Sequence, residues 1–285
     1  MNYFRYKEEK IFRVLMFLST LFIVLALAMI IFSVLYKGLP ALSWEMISQT
    51  PKGGFYLGKE GGILNAIVGS FYLSVCSTLL ALFISLPLAL FMNIYLKKHR
   101  VILNTIRFFL DLLWGVPSIV YGAFGFIIMV YFGLKASLLA GIITVTLFII
   151  PIMVRAMDEI FKTVPKGLFE ASLSLGSTRS ETAYRIFLRQ CYPGVVTAVL
   201  LAFGRGIGDA ASVLFTTGFT DHIPVSLMQP TATLPLAIFF QLGAPIAEVQ
   251  ERAYAAAAVL TFFILIISIL ARLSSGKFQR NKINF

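Results

Sequence analysis

Long apolar runs alternate with short polar connections along most of the chain. Six of these runs carry few charged residues, and each is close to or longer than the length of about 20 residues that a helix needs to cross a bilayer. We therefore predict an all-α membrane protein with six transmembrane helices. The predicted spans are residues 14–36, 63–96, 108–132, 136–153, 194–217 and 254–271.

Prolines and glycines predict where the helices are irregular. Pro87 lies inside the second span, which we expect to be kinked or tilted because proline removes one helical hydrogen bond. Residues 218–252, between the last two spans, hold four prolines and predict short re-entrant or surface helices. The third span is expected to be irregular because it contains Gly115, Pro117, Gly122 and Gly125.

The composition agrees with a membrane protein and argues against other classes. Of the 285 residues, 59% are hydrophobic, whereas soluble domains have about 45 to 50%. The net charge of +11 does not indicate nucleic-acid binding, because the Lys and Arg residues lie at the ends of apolar runs. Cys76 and Cys191 are not placed to pair, and His99 and His222 lack metal-ligand spacing, so we expect neither a disulfide nor a metal site.

The distribution of basic residues predicts the orientation in the membrane. With the N-terminus inside, 18 of the 24 Lys and Arg residues fall in inner segments, five fall in outer segments and Arg205 lies within a span. Cytoplasmic segments of membrane proteins carry such an excess of positive charge. Both termini, and the connection between the fourth and fifth spans, are therefore predicted to be cytoplasmic.

That connection, residues 166–194, is unusually polar for this chain. Pro165 suits the first position of a helix, and Gly176 suits the left-handed position just past a helix end. Thr178 and Glu181 then have the spacing of a capping box. The pattern predicts a helix, a turn and a second helix. A solvated cytoplasmic hairpin would account for these local signals equally well. The first helix has an apolar stripe for a partner or for the chain's own membrane helices, formed by Leu168, Ala171, Ser172 and Leu175.

The same connection resembles a signature of ABC importer permeases. In that signature E-A-A-x-x-x-G is followed by nine residues and I-x-L-P, and Ser172 and Arg189 depart from it here. The resemblance implies that the short helix is a coupling helix, which docks onto a separate cytoplasmic ATPase. It assigns this contact to Glu170, Ala171, Ser172, Leu175 and Gly176.

Arg205 is a charged residue near the middle of a predicted span. It lies roughly 16 Å from the start of the fifth span at 1.5 Å per residue, where inserting an arginine costs about 2.5 to 3.5 kcal/mol. Asp209, four residues later, would share its helical face, so an ion pair is one explanation. The other is that Arg205 offers its planar, permanently charged fork to an anion crossing the membrane, with Asp209 holding or gating it.

Glycines surround this arginine. Gly204, Gly206 and Gly208 leave the backbone bare beside it. The spacing of Gly204 and Gly208 is also that of a helix-packing motif, which requires no substrate. Spacing alone therefore leaves a substrate path and a helix contact both open.

The region is similar to the permeases of the phosphate-specific (Pst) ABC importers. Residues 204–211 resemble the G-R-A-x-G-E-T-A segment of that family, and they depart from it at Gly206, Asp209 and Ala210. The resemblance extends over most of residues 38–272 and implies a type I ABC importer permease fold, A-type subunit. Further similar segments are residues 61–63, 65–70, 115–120, 234–235 and 253–257, and the implied substrate path contains Arg205, Asp209, Gly204, Gly208 and Ser118.

By this resemblance the chain is one membrane subunit of an ATP-driven phosphate importer in the bacterial-type cytoplasmic (inner) membrane. Residues 1–62 would form an N-terminal helix and outer loop, residues 63–272 a permease core of five helices, and residues 273–285 a cytoplasmic tail. The chain lacks the G-x-x-x-x-G-K-[S/T] phosphate-binding motif, so we expect it to be no enzyme and to need no cofactor, with ATP used by a partner. The implied partners are a second, C-type permease subunit, a dimer of ATP-binding subunits, an extracytoplasmic phosphate-binding protein, inorganic phosphate and membrane lipid, without nucleic acid.

Two alternatives follow from the residues. A permease for sulfate or molybdate would use the same arginine, because an arginine among small residues does not by itself determine which oxyanion is bound. An ion-gradient-driven carrier or an intramembrane enzyme is a different class. A carrier would not need the polar connection, and an enzyme would need a second polar cluster within the spans, for which Asp111 near the inner end of the third span is the one candidate.

Overall fold

The computed structural model describes residues 3–52 and 60–280, and most of this part of the chain is helical. A short antiparallel ladder joins β1, Pro51–Lys52, to β2, Glu60–Gly61. A 3₁₀ turn, Leu96–Lys98, and a π-helical segment, Thr182–Phe187, connect neighbouring helices. The helices are α1 Tyr3–Gly38, α2 Trp44–Ser48, α3 Leu64–Ile94, α4 Arg100–Gly115, α5 Ser118–Tyr131, α6 Leu138–Lys162, α7 Lys166–Ser174, α8 Arg179–Glu181, α9 Leu188–Ile207, α10 Leu234–Leu242 and α11 Ala247–Arg280.

The number of membrane spans agrees with the sequence. Five stretches of the described chain are long and apolar enough to cross a bilayer. The pair α4 and α5 makes a sixth if it is counted as one broken span, bent by 96°. The five stretches are Glu8–Gly38, Leu64–Ile94, Leu138–Lys162, Arg179–Ile207 and Ala247–Ser274.

The irregularity expected in the third span is confirmed, and it is confined to one place. Gly115 ends α4 and Pro117 precedes the first residue of α5, where a proline cannot continue the preceding helix. The hydroxyl of Tyr121 donates to the Leu113 carbonyl oxygen at 2.9 Å and so joins the two sides of the bend. The span begins at Arg100, earlier than predicted, because α4 includes the polar residues before the apolar run.

Helices α3 and α6 form the centre of the bundle. The face that α3 turns inward is made of small side chains spaced three or four residues apart, which lets two helices approach closely. The hydroxyl of Ser77 donates to the Ile142 carbonyl oxygen at 3.3 Å, and the hydroxyl of Thr146 donates back to the Ser77 carbonyl oxygen at 3.4 Å. The small buried residues of α3 that follow this spacing include Ser70, Ser74, Ser77, Ala81, Ser85 and Ala89.

The predicted extent of the fifth helix, residues 194–217, is wrong at both ends. The helical stretch begins at Arg179, and α9 ends at Ile207, after which residues 208–217 form successive turns. Two causes act at the end of the helix. Glycine has a low helix propensity, and the carboxylate of Asp209 accepts a hydrogen bond at 2.8 Å from the Ser212 N–H, an alternative to the helical ladder.

The segment between the last two spans contains one short helix, α10, as expected for re-entrant or surface helices, and the first half of this helix is buried. Leu234 and Leu236 are fully buried. The Leu234 N–H donates to the Ser70 hydroxyl oxygen at 2.7 Å, and the Asn65 side-chain amide donates to the Thr220 carbonyl oxygen at 2.7 Å. Both contacts attach the segment to α3, because its backbone groups need partners once they leave water.

The beginning of α6 is completed by the same segment. A helix leaves its first N–H groups without partners inside the helix. Here three of them donate to carbonyl oxygens much later in the chain. The pairs are Ser137 with Thr216 at 2.9 Å, Leu138 with Gln229 at 2.8 Å and Leu139 with Leu227 at 2.8 Å.

Candidate functional site

Arg205 lies in the last turn of α9, and its side chain is exposed on the surface of this chain. Its guanidinium carbon is 5.5 Å from the centre of the Phe148 ring, a distance typical of a cation–π contact. Phe148 belongs to α6 and is buried, and its ring also packs edge to face against Tyr121 of α5, at 5.6 Å between centroids. Three helices therefore meet around Phe148, with the charge of Arg205 on the open side.

The ion pair between Arg205 and Asp209 is not formed. The helix ends between the two residues, so the four-residue spacing no longer places them on one helical face. Asp209 instead accepts the hydrogen bond from the Ser212 N–H and stabilises the turn that follows the helix. Within the described parts of the chain, no carboxylate is paired with Arg205.

The glycines around Arg205 face neighbouring helices. A Cβ atom added to Gly204 would lie 3.5 Å from Ile267 Cγ2, and one added to Gly208 would lie 3.5 Å from Ile264 Cδ1, both in α11. A Cβ atom added to Gly206 would lie 3.4 Å from Val145 Cγ1 of α6. Two sides of the helix end are therefore packed, as the helix-contact interpretation expects, while the Arg205 side chain is exposed.

Ser118 is the first residue of α5, directly after the bend, and it is partly buried. It precedes Tyr121 by one helical turn, and Tyr121 contacts Phe148, the ring on which Arg205 lies. Tyr121 thus joins α5 to the ring on which Arg205 lies, one helical turn after Ser118. A direct role for Ser118 in a substrate path stays a prediction.

The local structure predicted for the polar connection is confirmed. Gly176 has a φ of +83°. Its N–H donates to the Leu173 carbonyl oxygen at 3.0 Å, and the Ser177 N–H donates to the Ser172 carbonyl oxygen at 3.2 Å, which together form a Schellman motif that closes α7. The capping box between Thr178 and Glu181 is present as well. Helix α7 begins one residue after Pro165 rather than at it.

The apolar stripe of α7 is divided between two faces. Ser172 is buried, and its hydroxyl oxygen lies 2.9 Å from that of Thr182. Leu168 packs against the core of the bundle. Ala171 and Leu175 point the other way, and Leu175 is 87% exposed. Of the residues assigned to ATPase coupling, Ser172 anchors the helix, whereas the others are exposed: Glu170, Ala171, Leu175 and Gly176.

A buried charge network beside α7 was missed in the sequence. Asp158 of α6 has a fully buried side chain. It accepts hydrogen bonds from Arg107 of α4 at 3.0 and 2.9 Å, from Asn93 of α3 at 2.9 Å and from Arg155 at 2.9 Å, and the Lys162 ammonium lies 3.0 Å away. One carboxylate thereby connects three helices, α3, α4 and α6. The polar residues at positions 155, 158, 159 and 162 mark one side of a helix, and this spacing was the available signal.

The known proteins that this chain resembles include membrane components of transport systems. The family described as "Binding-protein-dependent transport system inner membrane component" matches residues 85–281. The phosphate transport system permease protein PstA of Pasteurella multocida is 33% identical over 269 residues, which cover 93% of this chain and 94% of the relative. PstA of Haemophilus influenzae is 32% identical, with 95% of each chain covered. The probable ABC transporter permease protein YqgI of Bacillus subtilis is 30% identical, with 84% of this chain and 85% of the relative covered.

Solved structures agree in fold. A chain of the MetNI methionine ABC transporter in an inward-facing conformation superposes with a TM-score of 0.62 at 17% identity, over 77% of this chain and 96% of that chain. A chain of a bacterial alginate ABC transporter gives 0.58 at 14% identity, over 96% of both chains. The predicted type I ABC importer permease fold is confirmed. The chain belongs to the family of binding-protein-dependent transport system inner membrane components, and its relatives in that family include the PstA permeases.

Proposed function

We propose that this chain is a transmembrane permease subunit of an ATP-driven phosphate importer and forms half of the translocation path. The observation that carries the proposal is the exposed guanidinium of Arg205 at the end of α9, which pairs with no carboxylate among the residues that the structure describes. Relatives that share a third of its residues over nearly the whole chain are phosphate transport system permeases. A path formed between two subunits is exposed in either one alone, which fits the exposure of this side chain.

The surroundings of Arg205 favour its positive charge and leave its N–H donors free for an anion. The guanidinium offers a fork of N–H donors that matches the oxygen atoms of phosphate. The C-terminal end of α9 favours a cation through the helix dipole, and the face of the Phe148 ring favours it as well. No carboxylate of residues 3–52 or 60–280 holds Arg205, so its donors remain available to the substrate.

The exposed face of α7 is the proposed contact with an ATP-binding subunit. Leu175 and Ala171 are apolar and exposed beside Glu170, on a helix whose other face is fixed to the bundle by Ser172. The C-cap at Gly176 holds this helix at a fixed angle. This proposal makes the α7 end of the bundle cytoplasmic, with both termini on the same side.

The remaining partners follow from the same proposal. A dimer of ATP-binding subunits hydrolyses the ATP, so this chain is no enzyme and holds no cofactor. A second, C-type permease subunit completes the path, and an extracytoplasmic phosphate-binding protein delivers phosphate to the opposite end.

Uptake of radiolabelled phosphate by cells that depend on this chain tests the proposal. We expect uptake to stop when ATP is depleted, to persist when the ion gradient is collapsed, and to resist competition by excess sulfate or molybdate. Competition by either oxyanion would indicate that it is the substrate instead. Uptake that follows the ion gradient would place the chain in another transporter class.

A further inference from the structure

A basic cavity of about 370 Å³ lies at the α7 end of the bundle, between the ends of α3, α4 and α6. A water molecule occupies about 30 Å³ in the liquid, so the cavity has room for an anion of several heavy atoms. Asn93 and Asn104 add side-chain amides to its wall. Five cationic side chains line the cavity: Lys97, Arg100, Arg107, Lys162 and Lys166.

The charges in this cavity do not balance. Arg107 and Lys162 are paired with the buried carboxylate of Asp158. In the part of the chain that the structure describes, Lys97, Arg100 and Lys166 have no carboxylate partner. Three positive charges therefore face one space without compensation, and their mutual repulsion falls when an anion enters.

The cavity connects α7 to the rest of the bundle. Lys166 is the first residue of α7, and the ammonium of Lys97 lies 5.7 Å from the centre of the Phe169 ring in the same helix. Arg100 is the first residue of α4 and lines the same cavity. An anion held by all three would therefore fix the position of α7 relative to α3 and α4.

We propose that this cavity binds a phosphate-type anion, supplied either by the head group of an acidic phospholipid or by free inorganic phosphate. Basic pockets between the ends of membrane helices are suited to such groups, because ammonium and guanidinium donors pair with phosphate oxygens. None of the candidate path residues lines the cavity. The site is therefore separate from Arg205, and it does not depend on which substrate the path carries.

Two binding measurements on the full chain in lipid nanodiscs separate the two sources. Native mass spectrometry counts the phosphatidylglycerol retained by the chain in mixed phosphatidylglycerol and phosphatidylcholine. Equilibrium dialysis measures radiolabelled orthophosphate binding in phosphatidylcholine alone, with Arg205→Gln present so that the candidate path does not contribute. The test variants are Lys97→Gln with Arg100→Gln, and separately Lys166→Gln. The matched control is Lys98→Gln, which removes a neighbouring exposed charge that does not line the cavity.

Each lost charge-assisted contact is expected to weaken binding about tenfold. A loss of phosphatidylglycerol in the test variants, with Lys98→Gln unchanged, identifies a lipid head group as the occupant. A loss of orthophosphate binding identifies free phosphate. Binding that is unchanged in both measurements overturns the proposal. The single variant Lys166→Gln, at an exposed helix start, keeps the test valid if the double variant does not fold.

Discussion

Arg107 of α4 holds Asp158 of α6 through two hydrogen bonds, from Nε at 3.0 Å and from a terminal nitrogen at 2.9 Å. This planar pairing joins the helix before the 96° bend to the helix that leads into α7. A carboxylate with no exposed surface is stable there because four donors surround it.

Replacing Asp158 by Asn should strongly destabilise the chain. The variant leaves Arg107 without its carboxylate partner, whereas Arg155 and Lys162 keep ion pairs with exposed carboxylates. Breaking a buried pair costs about 3 to 5 kcal/mol. Thermal unfolding of the purified chain measures the effect. The matched control is Glu159→Gln, whose side chain is 59% exposed and which should change stability by no more than about 1 kcal/mol. Equal shifts for the two variants would contradict the role assigned to Asp158.

Replacing Gly176 by Val should uncouple ATP hydrolysis from transport. The φ of +83° is unfavourable for a β-branched residue, so the Schellman motif opens and α7 loses its angle. Gly176→Asn is the control, because asparagine tolerates the left-handed region. The measurements are ATPase activity and phosphate uptake in the reconstituted complex. Normal transport by an assembled Gly176→Val complex would show that this turn has no coupling role.

Removing the charges of Arg205 and Asp209 together should not restore transport. Since the two residues form no ion pair, Arg205→Gln with Asp209→Asn should assemble normally and remain inactive in phosphate uptake. Arg205→Lys should also transport poorly, because an ammonium lacks the planar fork. Asp209→Asn alone should retain most activity, since an amide oxygen still accepts from the Ser212 N–H. Substantial uptake by the double variant would rule out contact between Arg205 and the substrate.

Two glycine-to-alanine changes should differ in their effect on folding. A Cβ at Gly69 would overlap the Ala232 carbonyl oxygen, whereas a Cβ at Gly204 would lie 3.5 Å from Ile267 Cγ2 in ordinary contact. Gly69→Ala should therefore lower stability by about 1 to 3 kcal/mol or more, the range for overpacking. Gly204→Ala should leave the unfolding midpoint nearly unchanged. A lower unfolding midpoint for Gly204→Ala than for Gly69→Ala would contradict the close contact of Gly69 with Ala232.

The sequence predicted features whose causes are local. Hydropathy located the spans because a bilayer requires long apolar helices. The turn at Gly176 and the capping box at Thr178 could be predicted because each depends on residues within a few positions. The end of α9 could not be predicted in this way. Apolar residues continue beyond Ile207, so hydropathy does not distinguish a helix there from the turns capped by Asp209.

The missed features depend on contacts between distant residues. In the sequence, Asp158 is one charge among several near the end of a helix. Its burial depends on contacts with Arg107 and Asn93, which belong to other helices. The placement of Ser172 inside and Leu175 outside follows from where Thr182 lies. For the candidate path, the sequence singled out Arg205 because inserting an arginine into a membrane costs free energy. Its contact with Phe148 could not be predicted, because that contact depends on how three helices pack together.

The capping of α6 by residues 216–229 sets an order of events during synthesis. When α6 first enters the bilayer, the N–H groups of Ser137, Leu138 and Leu139 have no carbonyl partners, because Thr216, Leu227 and Gln229 have not yet been made. Bare donors are costly in hydrocarbon. The first turn of α6 must therefore stay near water or the insertion machinery until the ribosome has passed Gln229, and a chain truncated before that point should leave this turn open to hydrogen exchange.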